Sequence, residues 1–363
     1  MIGILYARSM LSRLFKGKHC FEKPAFYMEA ARHVGEDILF FSLSDIDWKK
    51  GTVRGWNGAD PVRLKLALPP VIINRTRTNQ ARIRKLILRL KQMGMVVFNE
   101  HNVVSKLEIH HILSKSNEMQ QHLPETDVVT YRSVKHLLEQ NTSLFLKPST
   151  TSIGNGIIRI RKINKSTFAE INVLGHTKRK KVNIDQIINM VRRQKRDYLV
   201  QRGVSLMTYQ GNSVDFRVSV QKNGEGNWQC TGIVGRVAKK GAVVTNLHCG
   251  GKSLKAAELF QKWGWNAAEI EKKVAELGLS IAQTLDKELP HIADLGLDIA
   301  LDEQQYPWLI EVNFRDLRIT FRNAGERGKW RATFANPVYY ATYLNRKIKE
   351  QEMKLEIRGL DKI

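Results

Sequence analysis

Hydrophobic residues in the first hundred positions fall into short blocks separated by amphipathic stretches. "IGILYA" predicts a buried strand, "FYMEAARHV" a helix and "DILFFSL" a second strand. "PPVIINR" (69–75) predicts another strand that ends in a polar turn. "ARIRKLILRLKQMG" places Ile83, Leu86, Ile87 and Leu90 on one helical face, stops at Gly94 and leads into "MVVFN". This rhythm predicts a small parallel α/β domain over residues 1–104.

The pattern then changes. "SKLEIHHILSK" (105–115) reads as a helix capped by Ser105, "LPETDVVT" breaks it, and "SVKHLLEQ" is a short helix. "LFLKPSTTSIGNGIIRIRK" (144–162) reads as two apolar strands around a small hydroxyl- and glycine-rich loop, Ser149 to Gly156. "DYLVQRGVSL" is a strand and turn, and "SVDFRVSVQKN" with "WQCTGIVGRVAKKGAVVTNLHCGG" (228–251) suggests an antiparallel meander. Residues 255–289 read as helical, with Ile270, Val274, Leu277, Ile281 and Leu285 on one stripe. "LGLDIALDEQQYPWLIEVN" reads as a hairpin, and "YYATYLNRKIKEQEMKLEI" begins a charged helical tail. The expected organisation is 1–104, then α+β subdomains over 105–200 and 201–345, then a tail over 346–363.

Candidate chemistry sits in the hairpin and the loop. Strand alternation puts Asp298, Ala300 and Asp302 on one face, and Glu311 and Asn313 on one face of the partner strand. Two carboxylates and an amide oxygen would suit Mg²⁺ carried by a polyphosphate, although the same pattern fits a solvated hairpin. Mutual repulsion predicts a raised pKa for one carboxyl. The Ser/Gly loop would let backbone N–H groups approach phosphate, with Lys147 just before it; the alternative is a plain turn beside an exposed lysine. It is not a Walker A loop, which would end in Gly-Lys-Ser/Thr and open a helix. No GxGxxG follows the first strand.

Lys and Arg number 59 against 35 Asp and Glu, a formal charge of +24. Such a surface attracts polyanions. The clusters are "HTKRKKV" (176–182), "VRRQKR" (191–196) and "NRTRTNQARIRK" (74–85). With no zinc-finger spacing, RNP motif or GxxG clamp, specific nucleic-acid recognition is disfavoured, which leaves nucleotides, an anionic polymer or an anionic surface as partners. Cys20, Cys230 and Cys249 are odd in number and far apart, which fits a reducing compartment rather than a disulfide framework. No apolar run reaches membrane-span length and the first residues do not read as a secretory signal, so a cytoplasmic protein is expected.

In order, the chain carries a lysine before a Ser/Gly loop, a hinge strand, a D-x-R strand, an N-L-x-x-G-G turn, a long helix, and Asp298 thirteen residues before E-x-N. This order resembles the ATP-grasp superfamily, and "TNLHCGG" and "VDFRVSV" resemble its ribosomal-protein glutamate ligases. Through "IGIL", "PPVIINR", "VFNEHNVVSKLEIHHIL", "LPET", "LFLKP", "YLVQRGVSL", "DFRV" and the last hairpin, nearly the whole chain resembles the endospore-coat-associated YheC/YheD family. The resemblance implies an α/β (α+β) fold in which an ATP-grasp domain holds nucleotide between two subdomains. It implies ATP and Mg²⁺ (or Mn²⁺) as cofactors, and carboxylate and amine substrates it does not name. Lys106 and Lys147 match the lysines that meet the phosphates, and Ser152, Gly154 and Gly156 match the covering loop. Gln201 and Arg202 match the adenine hinge, and Asp215 and Asn246 match nucleotide-contacting positions. Asp298, Glu311 and Asn313 match the metal ligands. Association with the spore coat is also implied, and a non-catalytic structural component of that layer is the alternative reading. Two departures stand out. Asp316 replaces a usual proline, followed by Leu317 where glycine is frequent; Gly296 stands where many relatives carry arginine. Arg217 and Arg236, or else Arg315 or Arg318, would then have to stabilise a reaction intermediate.

Overall fold

A computed structural model describes residues 1–18, 20–57, 64–150, 156–173, 176–240 and 250–360. The first hundred residues build a parallel sheet in the order Ile38–Phe41, Ile2–Leu5, Val71–Asn74, Val96–Phe98. The first three strands are buried at every position, because both faces are covered. On one face Leu5, Leu39, Phe41 and Ile72 pack against Ile87 and Leu90 of the helix Ala81–Gln92. On the other, Ile2, Ile4, Phe40 and Ile73 meet Tyr27 and Ala30 of the helix Pro24–His33, and Phe334, Val338 and Ala341 of the helix Arg327–Leu360. That last helix corrects the expected tail. It runs unbroken through residue 346, and its first half is part of the N-terminal core.

The second sheet has the order His176–Lys181, Ser166–Val173, Ile158–Ile163, Ser143–Pro148, Tyr198–Arg202, Thr126–Val128, with antiparallel pairing throughout. Leu144, Leu146, Ile158 and Ile160 face the helices Tyr131–Gln140 and Ile184–Arg192. Alternation sends Phe145, Lys147, Arg159 and Arg161 to the opposite face.

The third sheet runs Lys252–Lys255, Trp228–Val237, Asn212–Lys222, Asp294–Leu301, Pro307–Asn313. The helix Ala267–Glu288 lays Ile270, Val274, Leu277, Ile281 and Leu285 into the same core as Val218, Val220, Leu295 and Leu297. Burying such side chains contributes roughly 1.5–3 kcal/mol each before conformational entropy is set against it. The helical run expected over 255–289 is broken. A helix Ala256–Lys262 stops, Gly264 takes φ +72°, and Asn266 caps the next helix through Glu269 N. A non-glycine residue at that φ would be strained.

Buried charges join the first and third sheets. Arg75 donates to Glu22 at 2.6 Å, to Asp294 at 3.2 Å and to the Asp316 carbonyl at 2.8 Å. Arg318 donates to Asp294 at 2.5 Å and to the Tyr27 hydroxyl at 2.6 Å. Such a network is costly to desolvate, so it fixes one docking geometry rather than adding much net stability. Arg75 therefore leaves the basic group expected on the surface; Arg77, Arg82, Arg84 and Lys85 are exposed.

Candidate nucleotide and metal site

The second and third sheets face each other across a cavity of about 470 Å³. One wall carries Phe145, Lys147, Arg159 and Arg161; the other carries Asp215, Arg236, Asp298 and Glu311; Gln201 and Arg202 lie on the connecting strand. Lys106 enters from the first turn of the helix Lys106–Ser114, where Ser105 Oγ accepts the Glu108 N–H at 3.1 Å and Lys106 N donates to the Ser149 carbonyl at 3.0 Å.

Lys147 is almost wholly buried, and its Nζ donates to Gln201 Oε1 at 2.5 Å; Gln201 Nε2 in turn donates to Thr126 Oγ1 at 2.9 Å. Burial pushes the Lys147 pKa down to about 8; Lys106 adds to the shift and Glu311 opposes it. Lys106 pairs with Glu311 at 2.8 Å. The Arg202 guanidinium lies over the Trp308 ring, 4.9 Å from its centre. Asp215 and Arg236 form a two-pronged pair at 2.7 and 2.6 Å.

The hairpin pairs Asp298 with Glu311 and Gly296 with Asn313, with a bulge after Asp298. This puts the three candidate ligands on adjacent positions of one face, and Asn313 Nδ2 lies 3.5 Å from Asp298 Oδ2. Asp302 is elsewhere. It ties off the turn by accepting from Gln304 N, Tyr306 N and Trp308 Nε1. Asp298 is not the raised carboxyl that mutual repulsion of the pair would produce. Burial alone would raise its pKa, but Arg217 at 2.8 Å and Arg236 at 2.9 Å outweigh that and hold it below the ordinary value. Arg217 and Arg236 are both candidates from the sequence, but their pairing with the Asp298 carboxylate depends on the neighbouring strands that deliver them.

Oxygen donors from Asp298, Glu311 and Asn313 fit a hard divalent cation. Among the described residues no cluster of three or more His, Cys, Asp and Glu side chains can hold a metal. A Mg²⁺ here would thus depend on the amide and on oxygens of a bound ligand, and would compete with Arg236 and Lys106 for the carboxylates.

Gly156 has φ +82°, and a Cβ there would lie 2.9 Å from Tyr198 Oη and 3.1 Å from Pro148 Cγ. Tyr198 Oη donates to its carbonyl at 2.8 Å, which anchors the end of the loop. Ser152, Gly154 and Asn246 lie outside the described residues.

The two departures touch each other. A Cβ on Gly296 would lie 2.9 Å from Asp316 Cγ. Asp316 thus fills the space above the glycine, where it accepts from Arg217 Nη1 at 2.8 Å, from Arg318 N at 3.1 Å and from the Ser219 hydroxyl. Arg217 therefore bridges Asp298 and Asp316. Arg318 is fully buried on Asp294, Tyr27 and the Phe334 ring, away from the cavity.

Sequence reasoning missed Arg159 and Arg161. The alternation in "IIRIRK" held the information, since Ile158 and Ile160 face the core. Both arginines gather round the buried Glu170, with Arg179 at 2.6 Å. The basic run Lys178–Lys181 lies exposed on the strand at the sheet edge, and Arg192, Arg193, Lys195 and Arg196 are exposed at the end of the next helix.

Two facing sheets, a lysine pair on one side and an acidic hairpin on the other define a protein of the ATP-grasp class. The chain belongs to the YheC/D-like ATP-grasp family, whose model matches residues 94–344. It is 24% identical to the endospore coat-associated protein YheD of Bacillus subtilis (strain 168), covering 96% of this chain and 79% of YheD. It is 23% identical to YheC of the same strain, over 71% of this chain and 72% of YheC. The solved ATP-grasp ligase PsnB, complexed with a phosphomimetic variant of its minimal precursor, Mg and ADP, aligns with a TM-score of 0.53 at 12% identity, over 95% of this chain and 98% of PsnB. No helix among the described residues is long and apolar enough to cross a membrane.

Proposed function

We propose that this protein is a Mg²⁺–ATP-dependent carboxylate–amine ligase of the YheC/YheD type, associated with the spore coat. The observation that carries the reading is the charge of the cavity. Lys106, Lys147, Arg159, Arg161, Lys162, Arg202 and Arg236 line it, against Asp215, Asp298 and Glu311. Seven cations to three anions suit a polyphosphate that brings its own divalent ion. Lys147 and Lys106 would hold phosphate oxygens, and Gln201 and Arg202 would meet the base. Asp298, Glu311 and Asn313 would hold Mg²⁺, which supplies Lewis-acid relief of the charge on the transferred phosphoryl group. Arg236, on the cavity wall, and Arg217, through Asp298, would stabilise the developing negative charge. In this reading a substrate carboxylate attacks the γ-phosphorus and ADP leaves. An amine then displaces phosphate from the acyl phosphate. Gly156 and the loop before it would exclude water from that intermediate.

Mg²⁺–ATP should raise the melting temperature of the full chain, and ADP should appear when amino acids and small dicarboxylates are screened as substrates. Absence of both a thermal shift and binding heat would overturn the nucleotide reading. Binding without ADP release across the screen would favour a non-catalytic coat component. The exposed basic strand and helix end of residues 178–196 favour that second reading, since they offer a surface for an anionic partner.

A further inference from the structure

The cations of the cavity fall into two groups. Lys106, Lys147 and Arg236 stand among Asp215, Asp298 and Glu311, and Lys106 and Arg236 are paired with those acids. Arg159 and Arg161 line the same cavity from the strand Ile158–Ile163, which contributes no acid to the wall. Register pairs Arg159 with Phe145 and Arg161 with Ser143. Arg161 therefore sits four residues along the sheet from the level of Lys147, about 13 Å at the rise of a β-strand.

What holds these arginines leaves most of their donors open. Glu170, on the next strand, is buried beneath them, but Arg179 occupies its Oε1 with Nε at 2.9 Å and Nη2 at 2.6 Å. Arg161 at 3.8 Å and Arg159 at 4.0 Å feel the charge of Glu170 yet stand too far off to hydrogen-bond to it. Arg159 donates Nε to the Ser143 hydroxyl at 3.4 Å and lies 5.7 Å from the centre of the Phe145 ring. Its other two nitrogens, and the whole fork of Arg161, make no hydrogen bond among the described residues. Burial, with Arg161 alongside, holds Arg159 below its ordinary pKa. A Cβ on Gly203 would lie 2.7 Å from Ser143 Oγ, so this glycine leaves the hydroxyl uncovered on its side of the cavity.

We propose that Arg159, Arg161 and Ser143 form a second anion seat in the cavity, shaped for a phosphoryl group other than those held at Lys147. That phosphates sit at Lys147 rests on the function proposed above; the seat does not. Two forks and a hydroxyl offer more donors than the two oxygens of a carboxylate accept, whereas a phosphoryl group turns three oxygens toward them. The group has two possible sources: a further phosphate on the nucleotide itself, or a separate molecule.

The test is calorimetric titration of the full chain with pyrophosphate, without metal. Two molecules should bind the wild type, and one should remain in Lys147→Ala. In that background Arg161→Gln should weaken the remaining site by about tenfold or more, because charge-assisted hydrogen bonds are lost. Arg161→Lys, which keeps the charge and hence the fold around Glu170, should weaken it by roughly threefold or more through loss of the fork. Lys181→Gln, exposed one strand beyond Phe168 on the same face, should leave it unchanged. A single pyrophosphate that Lys147→Ala removes would overturn the seat and leave the nucleotide reading standing. Equal weakening by Lys181→Gln would overturn the seat as diffuse charge. A single pyrophosphate that Arg161→Gln removes and Lys147→Ala does not would uphold the seat and count against the nucleotide reading. Adenosine 3′,5′-bisphosphate compared with AMP then separates the sources. Tighter binding by about tenfold, lost in Arg161→Gln, places both phosphates on one nucleotide. Equal affinity, with pyrophosphate still bound by the ADP-saturated protein, places the second on another molecule.

Discussion

Lys147 gives the nucleotide reading a pH signature. Its pKa is pushed down to about 8 by burial, from an ordinary value above 10. Without nucleotide the folded state holds fewer protons than the unfolded chain between those values. Stability from this group therefore rises with pH through that window, and it is lost as pH falls through it to about 8, below which both states are protonated and the dependence is flat. Ligand binding has the opposite sign. A phosphate beside Nζ favours the charged amine, so binding above pH 8 requires proton uptake. At pH 7 about nine in ten Lys147 side chains are charged, and at pH 9 about one in ten. Affinity for Mg²⁺–ATP should therefore fall roughly tenfold from pH 7 to pH 9, or ~1.4 kcal/mol. Titration calorimetry in two buffers of different ionisation enthalpy reads both quantities, with uptake approaching one proton at pH 9. Lys147→Ala should bind more weakly at pH 7 and lose the pH dependence. Affinity that stays level from pH 7 to 9 in the wild type, without proton uptake, would refute the contact between Lys147 and phosphate.

Glu311→Gln should abolish Mg²⁺-dependent ADP formation while the melting temperature changes little, since the partly exposed pair with Lys106 contributes at most about 1 kcal/mol; full activity in this variant would remove Glu311 from the metal set. Asp298→Asn should destabilise the fold by about 3 kcal/mol in chemical denaturation, because Arg217 and Arg236 both lose a buried partner. Gly296→Ala should cost about 1–3 kcal/mol through the clash with Asp316, and a double-mutant cycle with Asp316→Ala should recover part of that loss; strictly additive costs would show that the two sites do not press on each other.

Local patterns made part of this legible. The hairpin of Asp298 and Glu311 follows from period-two alternation, which is a property of adjacent residues. The strands on either side of the Ser/Gly loop and the cap at Ser105 follow from equally local rules. What could not be read were partners brought together across the chain. Arg217 and Arg236 are 81 and 62 positions before Asp298, and only the pairing of their strands delivers them to its carboxylate. Arg75 looked like surface charge because its neighbours in sequence are basic, yet its acids come from residues 22 and 294. The long last helix was placed too late because its early turns are apolar for the sake of a sheet formed by the first residues.

That helix has a consequence for synthesis of the chain. Ile2, Ile4, Phe40 and Ile73 leave the ribosome about 260 residues or more ahead of Phe334, Val338 and Ala341, which cover them (334 − 73 = 261). At ordinary elongation rates the gap is on the order of half a minute. For that time one face of the parallel sheet has the helices Arg8–Phe15 and Pro24–His33 over it but not the last one, so the nascent chain presents an apolar surface that chaperones would have to hold. The N-terminal sheet is thus translated well before its own core can be completed.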